Sequence, residues 1–292
     1  MKKRILVTGG TGLIGSYLTD ALLSVGDYEV FILGRKENPG WKDNEIKYVE
    51  IDLANDWNEA QLPEHLYGII HLSQAENFRD FPGKAKETFY INTLSTLKLI
   101  NYAVENKISH FIYASSGGVY GNGEEAFSED QHIGYEKNTG FYIATKHCSE
   151  VVLENYSKLL NVFILRFFFV YGKGQNKNML IPRLINFVKN EEAITLQGES
   201  GIKINPIYVQ DAVMAILEAL KINESHTINI GGPDVLSLKE IGEIIGSALK
   251  KEPKFIINQK EIPKNLIGNI SKMKNLLYTP QKRFRETIET LI

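Results

Sequence analysis

The chain of 292 residues has a single cysteine, Cys148, so no disulfide can form within it. It also lacks a long apolar run. Its most apolar stretch, 162–171, is broken by Arg166 and falls well short of the roughly 20 residues a membrane-spanning helix needs; a buried strand is expected there. Met1-Lys2-Lys3-Arg4 leads into only three apolar residues before Thr8, too few for the core of a secretory signal, and a cytoplasmic location is expected. A formal net charge of -2 leaves no surplus of Lys and Arg to meet phosphate. The expected partner is therefore a small molecule, with no nucleic acid and no membrane. Six histidines are scattered without metal-ligand spacing, so no metal is expected. There is no internal repeat, no low-complexity segment and no Gly/Ser/Pro-rich spacer between the halves. What is plentiful is hydrophobic content, 43%, which excludes a disordered chain and suffices for a large core, in one composite globule or two lobes sharing a cleft.

Near the N-terminus, Ile5-Leu6-Val7 reads as a buried strand that runs into a turn with Gly9, Gly12 and Gly15 at three-residue spacing. Behind it, Leu13, Ile14, Leu18, Leu22 and Leu23 recur at helical spacing. The first glycine permits a tight turn, the second lets backbone approach phosphate oxygens, and the third lets helix pack closely on strand. Free amides at the helix start then face an anion. Gly9, Gly12, Leu13, Ile14 and Gly15 are thus candidate contacts to a dinucleotide pyrophosphate.

Further strand-like runs at 29–33, 46–51, 68–72, 110–114 and 161–169 alternate with helical patterns, most clearly 85–105 and 141–160. This alternation implies an α/β fold, a doubly wound parallel sheet of Rossmann type. After about Val170 the pattern changes to helical 180–189, short extended pieces at 194–196 and 204–209, helical 211–221, and then 227–232, 237–249 and 271–291. Ser237 before Leu238 and Glu240 reads as a helix N-cap. Residues 1–170 are expected to form the dinucleotide-binding domain and 171–292 a smaller α/β substrate-binding lobe, with chain segments free to interleave.

The second strand ends Leu33-Gly34-Arg35, where the NAD-binding pattern usually has an acidic residue for the ribose hydroxyls. Arg35, with Lys36 beside it, can instead meet a 2′-phosphate. This favours NADP, with NAD possible if Arg35 is solvated or stacks on adenine. Asp52 is either an adenine contact or a loop-capping aspartate.

Tyr142 and Lys146 lie four residues apart, on one face of the helix after the fifth strand. A phenol beside an ammonium can move a proton, because the positive charge favours phenolate. Tyr278–Lys282 has the same spacing, but Pro280 argues against a helix there. Tyr142 is set apart by the small-residue turn Ser115-Ser116-Gly117-Gly118 at the fifth strand's end, where doubly wound sheets bind ligands. Ser116 can hydrogen-bond the substrate oxygen, and Ser115 is either a partner or ordinary turn chemistry. His71 reads as a loop residue rather than a catalyst, and Cys148 as a packed thiol.

With these residues in place, the chain resembles an extended short-chain dehydrogenase/reductase of the NAD(P)-dependent epimerase/dehydratase family, which acts mostly on nucleotide sugars. The resemblance rests on 8–15, Asp52, Ile70-His71-Leu72-Ser73, Asn92, Ser116, Tyr142, Lys146, Arg166 with Val170-Tyr171-Gly172, the 207–211 segment and the ending 271–277. It implies a dinucleotide site that also includes Leu53, Leu72, Ser73 and Asn92, catalysis by Tyr142, Lys146 and Ser116, and a substrate site at Ser116, Gly117, Phe169 and Lys203. Lys146 would also bond the nicotinamide ribose. A homodimer through the two long helices is implied too.

Three departures bear on substrate. Phe169 stands where relatives carry asparagine before Val-Tyr-Gly. Ile204 stands where they carry a phosphate-binding arginine, which Lys203 could replace only as a point charge. Gly117-Gly118 replaces the Asp-Glu pair of 4,6-dehydratases, which excludes that elimination chemistry. Redox at one carbinol carbon remains. A keto-sugar reductase drawing on NADPH ranks slightly ahead of a 4-epimerase that recycles bound cofactor. A non-catalytic NADP sensor is disfavoured, because it has no need of the Ser116, Tyr142 and Lys146 set.

Overall fold

The computed structural model describes residues 2–35, 46–133 and 140–292. A seven-stranded sheet has the order β11-β6-β5-β4-β1-β2-β3. Its strands are β1 (Lys3–Thr8), β2 (Tyr28–Gly34), β3 (Ile46–Glu50), β4 (Gly68–His71), β5 (His110–Ser116), β6 (Asn161–Phe167) and β11 (His226–Ile230). β1 pairs in parallel with both β2 and β4, β2 with β3 and β4 with β5. Continuous apolar runs such as Ile5-Leu6-Val7 are fully buried, as a sheet covered on both faces requires. The core joins Leu6, Phe31, Ile69, Phe111 and Ile164 to the helix side chains Leu99 and Leu153.

Helix α1 (Leu13–Val25) starts at Gly12 without a side-chain cap and stops at Gly26, whose φ of 81° supplies the left-handed C-cap. The run expected to be one helix at 85–105 is three pieces: α2 (Ala85–Phe89), a π-helical turn (Tyr90–Leu94) and α3 (Ser95–Glu105). α4 (Phe141–Glu154) ends six residues before the expected Leu160, with Asn155 as its C-cap, and turns lead from there into β6. The strand expected over 161–169 stops at Phe167, because Phe169 takes φ 48°, a left-handed conformation that no strand can continue through.

By internal packing the chain forms two units. The first comprises the described residues of 1–119, 135–166 and 216–228; the second those of 120–134, 167–215 and 229–292. The sequence boundary at 170 thus meets an interleaved chain. In the second unit, β7 (Val170–Tyr171) pairs in parallel with β10 (Ile207–Tyr208), and β8 (Ala193–Gln197) with β13 (Lys254–Asn258), while β9 (Lys203–Ile204) pairs antiparallel with β12 (Leu236–Ser237). Pro206 separates β9 from β10, so the extended run expected at 204–209 is split. The helices here are α5 (Leu180–Lys189), the start of α6 (Val209–Ala219) and α7 (Leu238–Leu249), followed by α8 (Ser271–Leu276) and α9 (Phe284–Thr287). Ser237 caps α7 in a full capping box with Glu240. The helix expected over 271–291 is broken around Pro280. There the buried carboxylate of Asp211 accepts from the backbone N–H groups of Gln281 (3.0 Å) and Lys282 (2.7 Å).

Candidate functional site

The glycine turn has no room for side chains. A Cβ at Gly15 would lie 2.1 Å from the Gly9 carbonyl oxygen, and one at Gly9, whose φ is 71°, would lie 2.9 Å from the Ser73 nitrogen. Backbone of the β1 turn, the α1 start and the end of β4 therefore meet at contact distance. With no side chain capping α1, the first-turn amides of Leu13, Ile14 and Gly15 keep their donors for a ligand. This cradle fits a dinucleotide pyrophosphate.

Thr8 and Ser73 are tied together around His71. Ser73 N–H donates to Thr8 Oγ1 (3.2 Å), which lies 2.6 Å from His71 Nδ1, and His71 Nε2 lies 3.1 Å from Thr96 Oγ1. Because Thr96 donates its own proton to the Asn92 carbonyl (2.6 Å), it must accept from Nε2, and Nδ1 must accept from Thr8. His71 is the last residue of β4 and fully buried, not a loop residue. Burial, with Lys146 nearby, holds its pKa down to about 3, so the ring is neutral.

Asn92 sits in the π turn. Its side chain accepts from Ala75 N–H (3.1 Å) and donates to Thr145 Oγ1 (2.9 Å), joining the loop after β4 to α4. The π turn turns the Asn92 carbonyl to Ser149 Oγ (2.8 Å) as well as to Thr96. Leu72 N–H donates to Thr8 O (3.2 Å) beside the cradle, whereas Leu53 is packed in the core.

On α4, Tyr142 is half-buried and donates to Gln74 Oε1 (2.8 Å). Burial raises its phenol above the ordinary range, and the nearby Arg79 guanidinium opposes this. One turn on, Lys146 is buried and donates to the Ala114 carbonyl (2.8 Å), with Nζ 4.8 Å from the Tyr113 ring centroid and 6.0 Å from that of Tyr142. Burial draws its pKa down to about 7, and Glu150 works against this. Ser116 Oγ at the end of β5 accepts from Gly118 N–H (3.1 Å). A Cβ at Gly118 would come within 2.5 Å of Ile143 Cδ1, so the turn lies against α4 next to Tyr142 because residue 118 has no side chain. The structure therefore brings Gly117, Ser116, Tyr142, Lys146 and Asn92 into one cluster in the first unit.

Other expected residues lie elsewhere. Asp52 caps its own loop, accepting from Ala54 N–H (3.0 Å) and Asn55 Nδ2 (2.8 Å), and each carboxylate oxygen retains a further lone pair for an adenine contact. Arg35 pairs with Glu76 at 3.2 Å on the surface, and Lys36 lies outside the described residues. At Gly34 a Cβ would meet Tyr48 Oη at 2.2 Å, so the Tyr48 phenol lies against the backbone at the end of β2. Phe169 and Lys203 belong to the second unit. Phe169 adopts a left-handed conformation that suits asparagine better, Lys203 is exposed, and Ile204 is a buried apolar position unsuited to a guanidinium. Cys148 is exposed, not packed: two residues past Lys146 it points off the buried face.

Sequence reasoning missed Gln74 and Glu150. Gln74 carries no pattern of its own. Glu150 continues the spacing of Tyr142 and Lys146 by another four residues, a signal present in the sequence but unused. Among the described residues, no helix is long and apolar enough to cross a membrane and no acidic, His or Cys cluster could hold a metal.

The same architecture occurs in UDP-glucuronic acid 4-epimerase from Bacillus cereus, solved with UDP-glucuronic acid and NAD. It is 26% identical, with a TM-score of 0.86 over 98% of this chain and 97% of that one. MoeE5, solved with UDP-glucose and NAD, is 25% identical, with a TM-score of 0.84 over 98% and 96%. GDP-6-deoxy-D-talose 4-dehydrogenase from Aggregatibacter actinomycetemcomitans is 28% identical over 94% of this chain and 91% of its own length. A family model covers residues 5–231, and on that match the chain belongs to the NAD dependent epimerase/dehydratase family.

Proposed function

We propose that this protein is an NAD-dependent nucleotide-sugar 4-epimerase, in which Tyr142 is the acid/base, Lys146 its charge partner and Ser116 a hydrogen-bonding partner of the reacting oxygen. The observation that carries the reading is the placement of Tyr142 and Lys146 on one face of α4 beside the Ser116 turn, in the same unit as the glycine cradle. Bound NAD would supply a hydride acceptor; Gly9, Gly12, Leu13, Ile14 and Gly15 would hold its pyrophosphate, Leu72, Ser73 and Lys146 would contact the rest of it, and Asn92 would support the site from behind. Tyr142 takes the proton of the sugar hydroxyl as the carbinol carbon is oxidised, and returns it when the carbonyl is reduced from the other face. Ser116 holds the oxygen while its charge changes. An ammonium at Lys146 favours the phenolate that the first step needs.

This reverses the ranking drawn from sequence. The argument for NADPH rested on Arg35, an exposed residue paired weakly with Glu76, whereas the two solved relatives described above are NAD complexes, and these carry the reversal. Net reduction of a keto sugar is the second reading, favoured by the relative named as a 4-dehydrogenase. The second unit, with Phe169 and Lys203, is the proposed holder of the nucleotide sugar. Pairing of two copies through α2–α3 and α4, where Phe89 and Val151 are exposed, completes the proposal.

The test is to denature purified protein, identify released nucleotide by mass spectrometry, and follow UDP-glucuronic acid and UDP-glucose by NMR with catalytic NAD. Retained NAD and formation of a 4-epimer support the reading. Freely exchanging NADPH with consumption of a keto sugar would replace it by the reductase, and turnover surviving in Tyr142→Phe would remove the site.

A further inference from the structure

We propose that Glu150 and Arg166 form a buried positioning pair that sets the charge of Lys146 and fixes the Ser115–Ser116 turn, so that proton transfer at Tyr142 depends on two residues that never touch the substrate. The proposal rests on the reading of Tyr142 and Lys146 as the proton-transfer pair.

Glu150 follows Lys146 by four residues on the same buried face of α4, continuing the line of Tyr142 and Lys146. Its carboxylate accepts the Ser115 hydroxyl proton and a fork from Arg166 on β6: Nε to both oxygens (3.1 and 3.2 Å) and Nη2 to Oε2 (2.8 Å). The side chains of the pair are 1% and 4% exposed. Two consecutive β5 residues are thereby occupied, Ala114 by Lys146 and Ser115 by Glu150, and the next, Ser116, is the one assigned above to the reacting oxygen. A buried ion pair is poor value for stability, since apolar residues of equal volume serve the core as well or better. Its placement one turn from a buried lysine gives it an electrostatic use.

Among the described residues, the groups around Lys146 are few. Tyr142 and Glu150 face it from α4, Tyr113 from β5 and neutral His71 from β4, and Arg79 acts on Tyr142 from the loop after β4. Of these only Glu150 brings negative charge, and it opposes the downward pull of burial on the lysine. Removing Glu150 should favour the neutral amine. Removing Arg166 should do the reverse, because it leaves the carboxylate uncompensated. A merely structural pair would move both variants the same way.

The experiment labels the lysines with carbon-13 and follows the ε-methylene resonance of Lys146, identified by its loss in Lys146→Met, as pH is varied. Glu150→Gln should lower the midpoint by about one pH unit, a tenfold change in the ammonium-to-amine ratio. Arg166→Met should raise it, and Glu150→Asp should keep it near that of the wild type. Midpoints that stay put, or move in the same direction in Glu150→Gln and Arg166→Met, overturn the proposal. If either single variant fails to fold, the double variant Glu150→Gln/Arg166→Met, which buries no unpaired charge, is read instead: a lowered midpoint supports the proposal and an unchanged one overturns it. Turnover surviving in Tyr142→Phe overturns the functional reading and the positioning role with it, whereas its loss with an unshifted Lys146 overturns the positioning role alone.

Discussion

At the β4–β5–α4 end of the first unit, His71, Asn92, Lys146, Glu150 and Arg166 are buried and joined to their neighbours by directed hydrogen bonds, while past the end of β2 Arg35 pairs directly with Glu76 at 3.2 Å, with side chains 54% and 64% exposed. Both regions were expected to contact one dinucleotide. The buried network fixes donors and acceptors because any unpaired group there costs its full desolvation. The exposed pair fixes little, since solvent replaces either partner at small cost. On the proposed function, the chemistry is held by the rigid end and the choice of cofactor is left to the loose one.

The sharpest way to break this comparison is Tyr142→Phe. Removing one hydroxyl should lower kcat by about 10² to 10⁴-fold while dinucleotide affinity, measured by calorimetry, changes less than about threefold. An unchanged kcat would strip the buried end of its chemical role. Next in size is Gly15→Ala. Its Cβ would sit 2.1 Å from the Gly9 carbonyl, backbone that cannot step aside, so strain of about 1 to 3 kcal/mol and a matching fall in Tm are expected together with weakened dinucleotide binding. Full stability and affinity in that variant would mean that the cradle is not the binding site.

His71 sharpens the comparison through pH. Its folded pKa of about 3 lies below the ordinary 6.5, so the unfolded chain binds the extra proton first. The contribution is present above about 6.5 and is lost as pH falls through the folded value, with a slope of at most about 1.4 kcal/mol per pH unit between. Urea midpoints for wild type and His71→Gln should converge as pH is lowered across that window. Parallel curves would show that the ring does not titrate with folding.

The cluster was legible in sequence where function needs a fixed local pattern: the glycine spacing before an amphipathic run, and Tyr142 and Lys146 at one helical turn. What escaped depends on residues far apart in the chain. The π turn at 90–94 follows from carbonyl partners such as Ser149, which no local periodicity reports. β13 was not anticipated; it pairs with β8 from far along the chain, and its apolar Ile256 and Ile257 remain exposed, against the usual meaning of such a run. Phe169 looked like the continuation of a strand, yet its backbone is left-handed, a feature that sequence marks only when glycine or asparagine occupies it. Asp52 was ambiguous because capping and ligand contact ask for the same side chain.

The smallest expected effect is at Arg35. Were its guanidinium the anchor of a 2′-phosphate, Arg35→Ala would cost NADPH about tenfold or more in affinity and leave NADH alone. Paired as it is with Glu76, the substitution should instead change either affinity by less than about threefold and stability by under about 0.5 kcal/mol. Glu76→Gln sharpens the point, since releasing Arg35 from its partner should strengthen NADPH binding while NADH is unaffected. Fluorescence titration of both nucleotides against the three proteins decides it. A tenfold, NADPH-selective loss in Arg35→Ala would make this exposed end as specific as the buried one, and would restore the reductase reading that the NAD complexes of the solved relatives argue against.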